Sequence, residues 1–325
     1  MRVKRSKLTL VQESMSLACS THSLAALIKE RATMLKKVRS FFDKRDVFEV
    51  DTPVLSDRAP IDHSIDILET MATDHIKGYF HSSPEYAMKK LLAKGAPDIY
   101  QLSHVFRKSE QSKKHAIEFT MLEWYRIGFS LKELMSETKE LIALFTGDVP
   151  CEITDYHSIF KERFDLDPQE DPLHVLKNVS KEYGLFGNDY DRQTYLDFLF
   201  DIAEKTFSED ALVFVTDFPK EQAYLAKTYM KNGKELAMRF EAFYKGYELA
   251  NGFDELQDSK VQRKRFMSSL NKRKEMNKPS LPIDEGFLDA LDHLPDCSGV
   301  AVGFDRLLML KTKSDDIKNV TYKGM

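Results

Sequence analysis

An arginine at the end of an apolar run is the first residue placed to do chemistry. Arg107 closes such a run, and a charged loop extends from it to Lys114. A guanidinium group beside lysines suits an anion such as a phosphate. Residues 118–126 form a second apolar run in which Glu118 and Glu123 are the only acids, a pattern typical of a strand with one face toward a wet cleft. Taken alone, the segment fits a solvated hairpin tip equally well.

Two further acids are spaced to share one face of a hairpin. The pair Lys245-Gly246 predicts a two-residue turn, which would place side chains 241, 243, 248 and 250 on the same face. Glu241 and Glu248 would then be diagonal neighbours, about 7–8 Å apart or less. Two such acids repel unless a cation lies between them, and Mg²⁺ bridged to phosphates is one such cation. The alternative is an exposed hairpin whose acids pair with lysines.

A second arginine lies near the C-terminus. Gly299 and Gly303 flank an apolar strand, and Asp305 with Arg306 opens an apolar helix. Glycines in a strand allow another group to approach the backbone closely. Upstream, Asn251-Gly252 predicts a turn. The chain has neither a Walker-type nor a Rossmann-type glycine motif, so arginines would have to hold any phosphates.

The elements that must position these residues follow from the spacing of apolar side chains. A helix capped by Ser23 is predicted at 24–42, and a strand at 47–50 ends before Pro53, which cannot donate to a sheet. Residues 150–210 are acidic and helix-rich, which predicts an insertion or cap without catalytic residues. Further predicted elements are a short strand at 79–82, helices at 86–93 and 131–145, a buried strand at 213–215 and a basic helix at 261–277.

Composition narrows the class of protein. The 325 residues are 42% hydrophobic and 31% charged, which is typical of a soluble globular protein. A net charge of −4 gives no basic field for nucleic acid. Three cysteines without metal-like spacing indicate a reducing compartment. No apolar run is long enough to span a bilayer, and we expect a cytoplasmic protein.

Together, the three segments resemble the three motifs of class II aminoacyl-tRNA synthetases. The helix and strand before Pro53 resemble the first motif, FRKSE and EFTMLEWYR the second, and GVAVGFDR the third. TDFPKEQAYLAK and FEAFYKGYELANGFDEL resemble the lysyl branch. The resemblance implies an α+β fold with an antiparallel sheet flanked by helices. It also implies an N-terminal arm at 1–22, one catalytic domain at 23–325 with a helical insertion at about 150–210, and a homodimer.

The segment before the first motif is short. About 22 residues cannot form the anticodon-reading OB-fold of a lysyl-tRNA synthetase. The sequence is therefore similar to the shortened paralogues, the elongation factor P–lysine ligases. That family uses ATP, and no tRNA, to attach (R)-β-lysine to a lysine side chain of elongation factor P. Two alternatives remain open: a non-catalytic synthetase-like regulatory protein, and a lysine-adenylating enzyme with another acceptor.

The resemblance assigns roles to individual residues. Arg107 would hold the α-phosphate and the amino-acid carboxylate, Arg306 the γ-phosphate, and Glu241 and Glu248 the Mg²⁺ ion. The implied ATP-binding residues are Arg107, Ser109, Glu110, His115, Ala116, Phe119, Glu248, Leu249, Gly303 and Arg306. The implied substrate-binding residues are Ser83, Pro84, Glu85, Tyr125, Asn251, Glu255 and Ala301.

Two positions depart from the pattern of the family. The second motif usually reads F-R-x-E, whereas here Ser109 holds the acid's place and Glu110 follows it. The loop usually reads H-N-P-E-F, and Ala116 stands where the asparagine would contact ATP. The resemblance therefore implies one nucleotide contact fewer and leaves the role of Glu110 open.

Ala301 generates a prediction about the amino acid. Lysyl-tRNA synthetases have glycine at the matching place, and a Cβ there would crowd an α-amino group. A β-amino acid carries its nitrogen one carbon further along and avoids that contact. We expect Ala301→Gly to improve the use of α-lysine relative to β-lysine in an adenylation assay. An unchanged preference would reject the idea.

Overall fold

A mixed sheet forms the centre of the computed structural model, which describes residues 23–108, 111–187 and 189–322. The strands are β1 (Phe48–Glu49), β2 (Leu55–Ser56), β3 (Glu69–Met71), β4 (Lys77–Phe80), β5 (Ile99–Phe106), β6 (Glu118–Ile127), β7 (Cys151–Asp155), β8 (Leu212–Pro219), β9 (Thr228–Lys231), β10 (Lys234–Tyr244), β11 (Tyr247–Asp254) and β12 (Cys297–Gly303). The helices are α1 (Leu24–Asp43), α2 (Glu85–Ala93), α3 (Leu131–Thr146), α4 (Tyr156–Phe164), α5 (Leu173–Glu182), α6 (Arg192–Glu204), α7 (Ser259–Glu275), α8 (Glu285–Leu291), α9 (Phe304–Thr312) and α10 (Ile317–Val320).

The strands pair mostly antiparallel. The large sheet has the order β1-β5-β6-β12-β11-β10-β8-β7, and β9 pairs with β10. Only the pairs at its two ends, β1 with β5 and β7 with β8, are parallel among the described strands. A small separate sheet has the order β2-β4-β3. The predicted α+β class, with an antiparallel sheet flanked by helices, is confirmed.

Helices cover the sheet in three groups. Helices α1, α3 and α9 pack on one face, where Val300 and Val302 of β12 are buried. Helices α4 to α6 pack against β8 and Phe243, and α2, α7 and α8 pack together beside β5. Helix α1 begins as predicted, with the Ser23 hydroxyl accepting a hydrogen bond from the amide of Ala26. The helices α1, α3 and α9 leave the opposite face of β12 uncovered, so that face is available for a functional site.

The segment 150–210 contains a strand that the sequence analysis missed. Cys151–Asp155 pairs in parallel with β8 and forms the edge of the large sheet. Its side chains are exposed or half-buried, so no apolar alternation marks it in the sequence. The predicted basic helix is present as α7, and the segment predicted to be helix-rich contains α4, α5 and α6. The predicted N-terminal arm lies outside the described residues.

The hairpin of β10 and β11 has the predicted turn but a different face. Phe243 pairs with Glu248, yet Ala242 pairs with Ala250, so Leu249 is an extra residue in a bulge. The bulge reverses the alternation beyond it. Ala250 therefore packs into the core, and the prediction that it shares the face of Glu241 is wrong. Asn251 pairs directly with Glu241 and takes that place instead.

The turn predicted at Asn251-Gly252 is also wrong. Both residues lie inside β11, which pairs with β10 on one side and β12 on the other. The glycine is needed for a different reason: a Cβ on Gly252 would lie 2.4 Å from the ring of Phe240. A glycine in a strand signals close approach as well as a turn, and here a buried aromatic ring makes the approach.

This contact predicts the effect of adding one methyl group. We expect Gly252→Ala to lower the free energy of unfolding by about 1–3 kcal/mol through overpacking against Phe240. Urea denaturation measures the change. The matched control is Gly286→Ala in α8, where a Cβ would meet nothing closer than 3.5 Å. The control should be neutral or more stable by about 0.5–1 kcal/mol. Equal urea midpoints for Gly252→Ala and the wild type would contradict the prediction.

Among the described residues, none of the helices has the length and apolar character that crossing a bilayer requires.

Candidate active site

A cavity of about 290 Å³ opens over the free face of β12. Gly299, Ala301 and Gly303 alternate along that face and form its floor. Fourteen of the predicted site residues line this one cavity. They are Ser83, Glu85, Arg107, His115, Ala116, Phe119, Tyr125, Glu248, Leu249, Asn251, Glu255, Ala301, Gly303 and Arg306.

The floor must be free of side chains at one point in particular. A Cβ on Gly299 would lie 2.3 Å from the ring of Tyr125 and 2.6 Å from Oε1 of Glu255. Gly299 also pairs with Tyr125 in the ladder, so the two strands cannot separate to relieve the overlap. Only glycine leaves room for these two substrate-binding candidates to meet.

The acidic end of the cavity contains a residue that the predicted site omitted. Glu123 is buried, accepts a hydrogen bond from the Ser83 hydroxyl at 2.6 Å and another from the Tyr125 hydroxyl at 2.6 Å. Burial and the nearby Glu85 carboxylate raise the pKa of Glu123 to about 7. The sequence signal was present, since Glu123 is two residues from Tyr125 and shares its face of the strand. Glu118, the other acid of the strand, pairs with His104 instead.

A buried lysine lies between two more carboxylates at this end. Nζ of Lys89 is 2.5 Å from Oε1 of Glu85 and 2.5 Å from Oε2 of Glu255. Its side chain has no exposed surface. Nothing in the spacing of the sequence predicted this, because Glu255 belongs to a segment 166 residues further along the chain.

The cationic end lies where β12 meets α9. Nη1 of Arg306 donates to the backbone oxygen of Glu248 at 2.6 Å, and Nη2 is 2.6 Å from Nε2 of His115. The Glu248 carboxylate is 3.6 Å from the same guanidinium group. The guanidinium of Arg107 lies over the ring of Phe119, with 5.3 Å to its centre. Both arginines thus face the same cavity.

The start of α9 is held by a residue from the first helix. Asp305 is buried, and its carboxylate contacts Nη1 of Arg31 at 2.5 Å and accepts from the amide of Thr120 at 2.7 Å. Arg31 also donates to the Thr120 hydroxyl at 2.7 Å. This network joins α1, β6 and α9 and fixes the direction from which Arg306 enters the cavity.

The loop after Arg107 is fastened over the cavity. Nζ of Lys114 donates to the backbone oxygen of Gly246 at 2.7 Å and lies 4.6 Å from the centre of the Tyr247 ring. The backbone oxygen of Lys113 accepts from the amide of Ile317 at 2.8 Å. The loop therefore contacts both the β10–β11 turn and α10.

Comparison with known proteins identifies the family. The model of the class II tRNA synthetases (D, K and N) matches residues 7–322. The chain belongs to that family. A Vibrio atlanticus protein named elongation factor P--(R)-beta-lysine ligase is 41% identical in an alignment of 307 residues that covers 90% of this chain and 94% of the relative. A protein of the same name from Haemophilus ducreyi is 39% identical in an alignment of 313 residues that covers 94% of this chain and 95% of the relative. The predicted resemblance is confirmed, and the chain is a ligase of this synthetase family.

Not every residue expected from the synthetase family faces the cavity. Pro84 occupies the N-cap position of α2 instead. Glu241 contacts the guanidinium group of Arg239, whose Nε also donates to Asn251 at 3.0 Å. Arg239 itself lines the cavity, although no motif in the sequence indicated it. Ser109 and Glu110 lie outside the described residues.

The acidic pair expected to hold Mg²⁺ has more acidic neighbours than predicted. Burial raises the pKa of Glu241, Arg239 opposes that rise, and the Glu248 carboxylate adds to it. Burial together with Asp201 and Glu248 raises the pKa of Glu204, in α6, to about 7. The insertion thus brings an acid near Glu248, while the absence of catalytic residues from it stays a prediction.

The donor set of this synthetase site fits Mg²⁺ bound together with a nucleotide. Within the three described ranges, no three His, Cys, Asp or Glu side chains are arranged as a complete metal site. Protein Mg²⁺ sites often use one or two carboxylates and take their other ligands from phosphates and water. Two repelling carboxylates beside an arginine-lined cavity match that requirement.

Proposed function

We propose that this protein activates (R)-β-lysine or lysine with ATP and transfers it to a lysine side chain of elongation factor P. The observation that carries the proposal is the separation of charge in one cavity, which has basic side chains at one end and acidic side chains at the other. Arg306 enters at the Gly303 end of β12, while Glu255 and Tyr125 meet at Gly299. These ends are about 13 Å apart along the strand. A diamino acid joined to a nucleotide has its cationic groups and its phosphates distributed in the same way.

The first step forms an aminoacyl-adenylate. The carboxylate oxygen of the amino acid attacks the α-phosphorus of ATP, and the bond to the β-phosphate oxygen breaks to release pyrophosphate. Negative charge grows on the phosphate oxygens, so positioned cations lower the barrier. Arg107 would neutralise the carboxylate and the α-phosphate, and Arg306 the γ-phosphate. Glu241 and Glu248 would hold Mg²⁺, which supplies further positive charge to the phosphates.

The acidic end would select the amino acid. Glu85, Glu123 and Glu255 offer carboxylates to ammonium groups, and Tyr125 and Ser83 fix the direction of Glu123. Buried carboxylates that lack a cation are costly, so a ligand with two ammonium groups gains more here than one with a single group.

The second step would join the amino acid to a protein. A neutral lysine amine of the acceptor attacks the carbonyl carbon of the adenylate, AMP leaves with the bonding electron pair, and the amine loses a proton. Elongation factor P is supported as the acceptor by the names of relatives that match 90% or more of this chain.

Mass spectrometry of elongation factor P tests the proposal. Incubation with this protein, ATP and (R)-β-lysine should add one β-lysyl group to a lysine of elongation factor P. Arg306→Ala should slow the reaction by about 10²–10³-fold, because it removes a cation that stabilises the transition state. The matched control is Arg163→Ala. Arg163 is an exposed arginine of α4, distant in sequence from every site residue, and its variant should react at the wild-type rate.

The outcomes separate this proposal from its rivals. A non-catalytic regulatory protein would show no ATP–pyrophosphate exchange with any amino acid. An enzyme with another acceptor would show exchange but leave elongation factor P unmodified. Equal rates for Arg306→Ala and Arg163→Ala would remove the arginine from the mechanism.

We also propose that the protein forms a homodimer through α1 and β1. Leu24, Ile28 and Phe48 are each about half exposed there, and β1 is an edge strand of the large sheet. Exposed apolar side chains beside an unpaired strand edge favour association. Phe48→Glu should shift the protein to a monomer in sedimentation velocity, whereas Met230→Glu, on an exposed side chain of β9, should not. A monomeric wild type would contradict the proposal.

A further inference from the structure

A lysine with no exposed surface lies behind two of the carboxylates that line the acidic end of the cavity. Lys89 projects from α2, and its ammonium group lies 2.5 Å from carboxylate oxygens of both Glu85 and Glu255. Its Nζ is also 6.0 Å from the centre of the Tyr125 ring. The protein therefore carries its own amine against two carboxylates of a pocket that we propose binds amines.

The two oxygens of Glu255 face different groups. Oε2 lies against Lys89 without the alignment of a hydrogen bond, so this contact is mainly electrostatic. Oε1 lies 2.6 Å from the place that a Cβ on Gly299 would occupy, which is the floor of the cavity. One oxygen is thus committed to the internal ammonium, while the other is directed to where a ligand would lie.

The charge of this end can be counted from its side chains. Glu85, Glu123 and Glu255 supply three carboxylates, and Lys89 supplies one ammonium group. With all four ionised, a formal charge of −2 remains. A diamino acid brings two ammonium groups and balances that charge, whereas an amino acid with an apolar side chain leaves one carboxylate unbalanced.

Every element packed around Glu255 bears on its ionisation. Burial raises the pKa of Glu255, Lys89 opposes that rise, and Glu85 and Glu123 add to it. Tyr125 of β6 and Cys297 of β12 also face the Glu255 carboxylate. Lys227 and Asp254, which form an ion pair, lie near Cys297. Lys89 is the cation in direct contact with Glu255 among the described residues.

We propose that Lys89 is a positioning residue for the amino acid. It is the fixed counter-ion that keeps Glu255 ionised and holds its second oxygen toward the cavity, which reserves the pocket for a substrate with two ammonium groups. This inference rests on the proposed function, because it concerns the amino acid that the cavity takes.

Calorimetric titration of the full chain tests the proposal without relying on catalysis. Lys89→Met keeps an unbranched side chain one atom shorter and removes its charge. It should weaken binding of L-lysine and (R)-β-lysine by about 10-fold or more at pH 7, because Glu255 loses the charge that favours its ionised form. Binding of ATP should be unchanged. Lys90→Met is the matched control, since Lys90 is the next residue of α2 and pairs with Asp284 instead.

The dependence on pH distinguishes this role from a structural one. In Lys89→Met, affinity for lysine should recover as the pH rises from 7 to 9, because deprotonation restores the Glu255 carboxylate while the ligand's side-chain ammonium remains charged. The wild type should change less over that range. Discrimination between lysine and norleucine, which has one ammonium group, should shrink in the variant at pH 7. In a Glu255→Gln background, Lys89→Met should weaken lysine binding no further.

Each result decides the matter. If Lys89→Met does not fold, Lys89→Gln, whose side chain is neutral but can still donate a hydrogen bond, takes its place in every measurement. Wild-type affinity and an unchanged pH profile in the folded variant would overturn the inference, as would an equal loss of ATP binding. A wild type that binds lysine with this Lys89 dependence but leaves elongation factor P unmodified would overturn the proposed transfer alone. A wild type that binds neither lysine nor β-lysine would overturn both.

Discussion

The site depends on keeping one face of one strand free of any side chain larger than a methyl group. On β12, Gly299, Ala301 and Gly303 point into the cavity, while the alternate residues pack into the core on the other side. The neighbouring strands carry large side chains, and at Gly299 a single added carbon would overlap both Tyr125 and Glu255. The pocket exists because small residues on a central strand leave room that the flanking strands do not fill.

Charge is arranged along that floor by elements from distant parts of the chain. Carboxylates and one internal ammonium group gather at one end, and two arginines face the other. Arg306 is directed by a network that reaches back to Arg31 in the first helix. Because buried charges are costly without partners, the proposed ligand would stabilise the site by bringing cations to the acidic end and phosphates to the arginines. The same requirement explains why Lys89 is buried where its charge offsets that of two acids.

The polar parts around the cavity are held by contacts between segments. The loop after Arg107 is fastened by Lys114 to the turn of the β10–β11 hairpin. That hairpin carries a bulge, which brings Asn251 beside Glu241. The helical insertion adds acids such as Glu204 near Glu248. The region that the sequence presented as a cap thus contributes to the electrostatics of the site.

The sequence by itself determined the class of fold, most helices and strands, and fourteen of the cavity-lining residues, because apolar spacing and three short motifs are local signals. It could not determine the bulge at Leu249, which depends on how two strands align, or the pairing of Lys89 with Glu255, which depends on segments far apart in the chain meeting. It also could not distinguish a glycine that forms a turn from a glycine in a strand that packs directly against an aromatic ring, as Gly252 does. Tertiary structure decided these points, because each is fixed by a neighbour in space that is remote in sequence.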